Sequence, residues 1–313
     1  MSVLPTFHGV IPPMVTPFTD AGEVDTAVLE QLVEHLIASG VHGLFPLGST
    51  GEVAYLTDAQ RRLVTSTVAT ATAGRVPVLV GCIDLTAARV VEQARQARDA
   101  GADAIVATTP IHALNDAEEI AVHFQTIRSA VDLPLVAYDV PVRAHSRPSL
   151  EVLVELGQEQ VIVGVKDSSG DDIGFRRLIR ANRLAGSPLA LLTGHELLCD
   201  AMLLAGADGM VPGLGNVDAA GYVRLYNAAR AGDWDQAVDE QQRLANLFEI
   251  VFAVVGRSPD ARGVGAFKAA MVARGLMPSA RMAAGVTALT AADEELIARV
   301  VHEWESAMAE SSS

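Results

Sequence analysis

The chain has 313 residues, half of them hydrophobic and only 4% aromatic, with 38 acidic side chains against 23 basic ones and a formal net charge of -15. That balance excludes a disordered chain and argues against a nucleic-acid or anionic-membrane surface, which would need basic patches. Cys82 and Cys199 stand far apart without a C-x-x-C pair, no basic-then-apolar leader opens the sequence, and no run of about 18 uncharged apolar residues occurs. A disulfide framework, a cysteine zinc site and a membrane span are therefore not expected, and the expected compartment is the cytoplasm.

Taken in chain order, short apolar runs alternate with helical patterns. The runs are "GVIPPMVTPF" (9–18), "GLFPLG" (43–48), "VPVLVG" (76–81), "AIVATTP" (104–110), "LPLVAYD" (133–139), "VIVGVKD" (161–167), "LALLTG" (189–194) and "GMVPG" (209–213). Segments such as "DTAVLEQLVEHLIASG" separate them, with apolar residues three and four apart and glycine at the end. Thr57 and Gln60 form a candidate capping box. Eight strands apolar on both faces, each followed by a helix, predict a parallel sheet closed into a (β/α)8 TIM barrel, with an open doubly wound sheet as the competitor. Beyond residue 216 the pattern is helical only, over 217–231, 233–255, 263–274 and 290–309. The first completes a barrel at 1–231, and the rest form a C-terminal helical extension at 232–313. "GRSPDARG" (256–263) reads as one of its loops and "ESSS" as a frayed tail.

Lysine is rare: Lys166 and Lys268 stand against 21 arginines. An arginine stays protonated, whereas a lysine amine that loses solvation can attack a carbonyl. Lys166 ends the sixth run, at the strand C-termini where such barrels place their chemistry. A Schiff base there would act as an electron sink for the neighbouring carbon–carbon bond, with no metal or organic cofactor required. The plain alternative is a snorkelling lysine paired with Asp167. Tyr138, ending the fifth run, lies close enough to move protons at the same mouth. In "LGSTGEV", Gly48, Ser49 and Thr50 present successive backbone N–H groups and two hydroxyls, a nest for a carboxylate. Lys268, among alanines in the extension, reads as a helix-surface or packing residue.

"GSTGE" (48–52), "YDVPVRA" (138–144) and "GVKDSSGD" (164–171), in this order and spacing, resemble the dihydrodipicolinate synthase and N-acetylneuraminate lyase family of pyruvate-handling class I aldolases. The resemblance spans essentially the whole chain. It implies Lys166 as the Schiff-base lysine, Tyr138 as proton donor and acceptor, Ser49 as a relay to Tyr138, and Ser49 with Thr50 as the grip on the pyruvate carboxylate. It further implies Val211 in the pocket wall, Arg143 as the anchor for an aldehyde's carboxylate, no cofactor or metal, and a homotetramer built as a dimer of dimers. Two departures are visible. Asp139 replaces the usual asparagine, and "TTPIHAL" puts Ile111 and His112 where lysine-pathway members carry a tyrosine pair; His112 is either a relay or substrate contact or a plain surface histidine of the loop.

The second substrate stays open between an aldehyde of the lysine pathway, a 2-keto-3-deoxy sugar acid or 4-hydroxy-2-oxoglutarate aldol, and a dehydratase substrate. A catalytically silent barrel that binds an oxo acid and a metal-assisted aldolase are the alternative classes. "GLGNV" (213–217) reads as a turn into a helix capped by Asn216 or Asp218 rather than a phosphate loop. Asp171 and Asp172 open a helix and suit its dipole. His195, next to Glu196 after the seventh run, reads by default as a satisfied loop histidine, with a contact to the sugar or acid end of a substrate as the alternative.

Overall fold

The structure, a computed structural model, describes residues 7–311. Seven parallel strands, β1 (Gly9–Val10), β2 (Leu79–Gly81), β3 (Ala104–Thr108), β4 (Leu135–Asp139), β5 (Gly164–Asp167), β6 (Ala190–Thr193) and β7 (Gly209–Met210), pair in the order β1-β7-β6-β5-β4-β3-β2. The run at 43–48 fills the remaining gap. It bridges Pro13 to Phe45 on one side and Leu44 to Val78 on the other. Phe45 N–H donates to Pro12 O at 3.0 Å and Leu79 N–H to Leu44 O at 2.8 Å. The ring therefore closes as a (β/α)8 TIM barrel. The segment departs from a regular ladder because Pro12, Pro13, Pro46 and Pro77 around it have no N–H to give.

The helices are α1 (Thr26–Ala38), α2 (Asp58–Thr72), α3 (Ala87–Asp99), α4 (Ala117–Ala130), the single turn α5 (Pro141–Ala144), α6 (Leu150–Gln158), α7 (Asp172–Leu184), α8 (Cys199–Ala205), α9 (Ala219–Ala231), α10 (Trp234–Ala253), α11 (Pro259–Ala273) and α12 (Ala291–Ser311). Their starts are written locally. Thr57 and Gln60 make the expected reciprocal capping box on α2, and Asp171 caps α7 by accepting from Gly174 N–H.

Three expectations need correction. α11 begins at Pro259, inside the segment read as a loop, because Ser258 accepts the Ala261 N–H and proline is preset for the first helical position. Asn216 caps no helix: it accepts from Val15 N–H and donates to Pro13 O and Gly213 O, tying the loop after β7 to the one after β1. Asp218 holds the N-cap position of α9 without a capping bond. Of the tail, Glu310 and Ser311 belong to α12, and Ser312 and Ser313 lie outside the described residues.

The barrel interior and the C-terminal helices share one apolar core. Val10, Phe45, Ile105, Val165 and Met210 belong to it, and so do Leu247, Met271 and Ile297. No described helix is long and apolar enough to cross a membrane.

Candidate active site

Strand register sets the centre of the site. Tyr138 on β4 stands opposite Lys166 on β5, and Asp139 opposite Asp167. Alternation sends the two pairs to opposite faces. Lys166 is 5% exposed and Tyr138 4%. The Lys166 Nζ lies 4.0 Å from the centroid of the Tyr138 ring and 4.8 Å from that of Phe45. The Tyr138 hydroxyl is 3.4 Å from Ser49 Oγ. Burial opposes ionisation of this phenol, yet the charge of Lys166 and hydrogen bonds from Ser49, Lys166 and Ser168 outweigh it and hold the phenol below its ordinary range. A buried amine beside a phenol that ionises more readily than usual is equipped to attack a carbonyl and move the protons that follow.

The loop carrying Ser49 and Thr50 is held from three sides. Gly81 lies so close to it that an added Cβ would stand 2.0 Å from Leu47 O, and a Cβ on Gly48 would meet the Phe45 ring at 2.9 Å. The Thr16 hydroxyl donates to Gly51 O at 2.8 Å. Glu52, in left-handed backbone at φ 58, accepts from Lys268 Nζ and, at 2.7 Å, from Ala283 N–H. The N–H groups of Ser49 and Thr50 have no partner among the described residues, which leaves them available to a carboxylate.

The other expected site residues divide. Val211 is buried at the end of β7, its N–H donating to Thr193 O at 2.8 Å. Arg143 lines a cavity of about 140 Å³ together with Ser49, Thr108, Ile111 and Val140, though neither Lys166 nor Tyr138 is in its wall. A larger groove of about 490 Å³, between α2 and α3, contains none of these residues, so size alone does not locate the site. His112 is exposed, in left-handed backbone at φ 71, and outside the cavity wall, where Ile111 stands instead. His195 is satisfied as expected: Gly170 N–H donates to its Nε2 at 2.9 Å and its Nδ1 faces Asp172.

Four participants escaped the sequence reading. Lys268 is 0% exposed, which favours the packing alternative over the helix-surface one, and it carries a role that the sequence does not assign: Glu52 and the Arg281 carbonyl receive its ammonium. Arg147 donates to Asp139 at 2.7 Å, Asp171 at 2.9 Å and Ser169 at 2.9 Å, clamping the ends of β4 and β5. Asp260 pairs with Arg143. Glu196, after β6, accepts from Leu214 N–H; loss of solvation pushes it up to about 7, against bonds from Leu214 and Gly213 and the charge of Lys166. The one available signal was the Asp139 departure, a buried charge in search of a partner.

Asp139 is 2% exposed, and burial pushes its carboxyl up to about 6, with Asp167 adding repulsion and Arg147 opposing both. Its folded value lies above the unfolded one, so its contribution to stability is complete below the unfolded value and is lost as pH rises through about 6. Relative to Asp139→Asn, the wild type is expected to lose on the order of 1–3 kcal/mol of unfolding free energy between pH 4 and pH 7. Urea titrations of both proteins across that range check this; parallel curves would contradict it.

The sequence matches the Dihydrodipicolinate synthetase family over residues 6–302. It is 37% identical over 257 residues to a 4-hydroxy-tetrahydrodipicolinate synthase of Phenylobacterium zucineum, covering 82% of this chain and 85% of that one. Among solved structures it is similar to YagE of E. coli K12, a prophage protein of the dihydrodipicolinic acid synthase family in complex with pyruvate, with TM-score 0.89, 27% identity and coverage of 96% and 99%. It is also similar to the dihydrodipicolinate synthase of Bacteroides thetaiotaomicron, with TM-score 0.89, 29% identity and coverage of 95% and 98%. With an amine and a phenol side by side at the strand ends of such a barrel, the chain belongs to the dihydrodipicolinate synthetase family and is a class I lyase.

Proposed function

We propose that the chain joins pyruvate, or a related 2-oxo acid, to an aldehyde through a Schiff base on Lys166, and catalyses the reverse cleavage. The observation that carries this reading is the placement of the buried Lys166 amine 4.0 Å from the Tyr138 ring, with Ser49 3.4 Å from the phenol. The Lys166 nitrogen adds to the ketone carbon of pyruvate, and the carbinolamine loses water as Tyr138 supplies a proton, leaving an iminium. A methyl proton then departs to give an enamine, whose terminal carbon bonds to the aldehyde carbon as the carbonyl π bond opens; the aldehyde oxygen takes up a proton to become the 4-hydroxyl, and the enamine reverts to an iminium. Water returns to the iminium, releasing a 4-hydroxy-2-oxo acid and the free amine. Ser49 relays protons to Tyr138, while the N–H groups of Ser49 and Thr50, next to Gly48, and the backbone around Val211 hold the oxo acid. No cofactor is required.

The test is to add pyruvate and then borohydride and weigh the protein. A gain equal to pyruvate less water plus two hydrogens, mapped to Lys166, supports the reading; an unmodified Lys166 peptide overturns it. Tyr138→Phe is expected to lower the condensation rate roughly 10²- to 10⁴-fold. Steady-state kinetics alongside adduct yield check that, and a loss below tenfold would remove the phenol from the proton path. The assembly we propose is a homotetramer in a reducing cytoplasm, where the buried thiols of Cys82 and Cys199 stay free. Light scattering reports the first.

A further inference from the structure

Arg143, in the turn α5, faces Asp260, in the first turn of α11. Its Nη1 donates to Asp260 Oδ2 at 3.1 Å and its Nη2 to Oδ1, a two-pronged pair. The Tyr55 hydroxyl donates to the same Oδ2 at 2.9 Å. The Asp260 side chain is only 14% exposed. Arg143 and, to a lesser degree, Tyr55 hold its carboxyl below the usual range, against burial, so it stays ionised. Both members of the pair line the cavity that Ser49 borders, whose wall is otherwise largely apolar: Val53, Ile83, Val140, Val264. The wall also holds Thr108, whose buried hydroxyl has no hydrogen-bond partner among the described residues.

A guanidinium whose fork is already filled by a carboxylate of the same chain is no longer an open anion site. A substrate carboxylate arriving here must either displace Asp260, leaving a mostly buried charge with Tyr55 alone, or settle beside it against like charge. A hydroxylated neutral molecule meets neither obstacle. It can exchange hydrogen bonds with the unpaired Thr108 hydroxyl, and a site with an unpaired polar group discriminates against a ligand that leaves it unmet.

We infer that the Arg143–Asp260 pair makes this chain select a small, neutral, hydroxyl-bearing aldehyde as acceptor, in preference to an aldehyde carrying a carboxylate. The inference rests on the Schiff-base reading above and names the substrate class of that site. Asp260 is the residue that sets the preference, by occupying Arg143.

The test measures kcat/KM in pyruvate-dependent condensation for glyceraldehyde, the neutral probe, and for 4-oxobutanoate, the charged one. Wild type is expected to favour glyceraldehyde. Asp260→Asn frees Arg143 and is expected to raise the ratio of 4-oxobutanoate to glyceraldehyde about 10- to 100-fold, chiefly through KM for the acid. Asp260→Ser keeps a polar residue at the helix start and serves the same purpose should the first variant fold poorly. Adding Arg143→Gln to either variant is expected to erase the gain. A ratio that moves less than about threefold in both variants, or a wild type that prefers the acid, overturns the inference. Borohydride trapping on the same samples separates the two failures. An adduct with an unmoved ratio sinks only the acceptor preference; no adduct sinks the Schiff-base reading and this inference with it.

Discussion

Replacing Lys166 with alanine is expected to lower the condensation rate roughly 10⁴- to 10⁶-fold and to abolish the borohydride-trapped adduct at that position. The background for this measurement is clean. Lys268, the other lysine side chain, is fully buried and bonded to Glu52 and Arg281, and the remaining 21 basic side chains are arginines, which keep their proton. Lys166→Arg separates charge from nucleophilicity, since it keeps a cation near the Tyr138 ring but offers no attacking amine; the same loss is expected. The phenol supplies a second readout. The Lys166 charge and hydrogen bond help to hold Tyr138 below its ordinary range, so in Lys166→Ala the phenol should shift upward and phenolate absorbance should appear at higher pH than in the wild type. A Lys166→Ala enzyme that retained more than about a hundredth of the wild-type rate would refute the proposed chemistry.

Much of the fold, and the placement of Tyr138 beside Lys166, is legible in the sequence for a local reason. Strands apolar on both faces between helices with written caps leave few arrangements other than a closed parallel ring, and Tyr138 and Lys166 sit at run ends, where a barrel puts its chemistry. The irregular second segment also follows from local chemistry, since its neighbours include four prolines. What stayed hidden depends on distance along the chain. Glu52 and Lys268 are 216 residues apart and Arg143 and Asp260 are 117 apart, and no periodicity links such pairs. The sequence presents Arg143 as open to a substrate, and Asp260, which fills it, stands in a proline- and glycine-containing stretch with a loop-like pattern. Lysine usage tracks burial: both lysines are buried, whereas no arginine is. Burial, rather than catalysis alone, is what this chain reserves lysine for.

Lys268→Met is expected to lower the unfolding free energy by about 3–5 kcal/mol, the range for removing one partner of a buried ion pair. The ammonium has no exposed surface, sits 4.6 Å from the centroid of the Phe18 ring, and divides its bonds between Glu52 and the Arg281 carbonyl, 2.8 Å away. Burial drives its pKa down and Glu52 opposes that, so the two charges sustain each other. Methionine fills the volume but leaves the Glu52 carboxylate with the Ala283 N–H alone. Glu52 occupies left-handed backbone, which a non-glycine residue adopts only when its surroundings insist. Freed of its partner, it relaxes toward water and carries Ser49 away from Tyr138, so stability and pyruvate trapping should fall together. Urea unfolding of Glu52→Gln, Lys268→Met and the double variant isolates the pair: the double loss should be well below the sum of the single losses. Lys268→Arg should also destabilise, by about 1–3 kcal/mol, because a guanidinium overfills the space of an ammonium. Additive losses, or a Lys268→Met protein within about 1 kcal/mol of wild type, would show that the loop after the second barrel segment is held by its backbone bonds rather than by this buried charge pair.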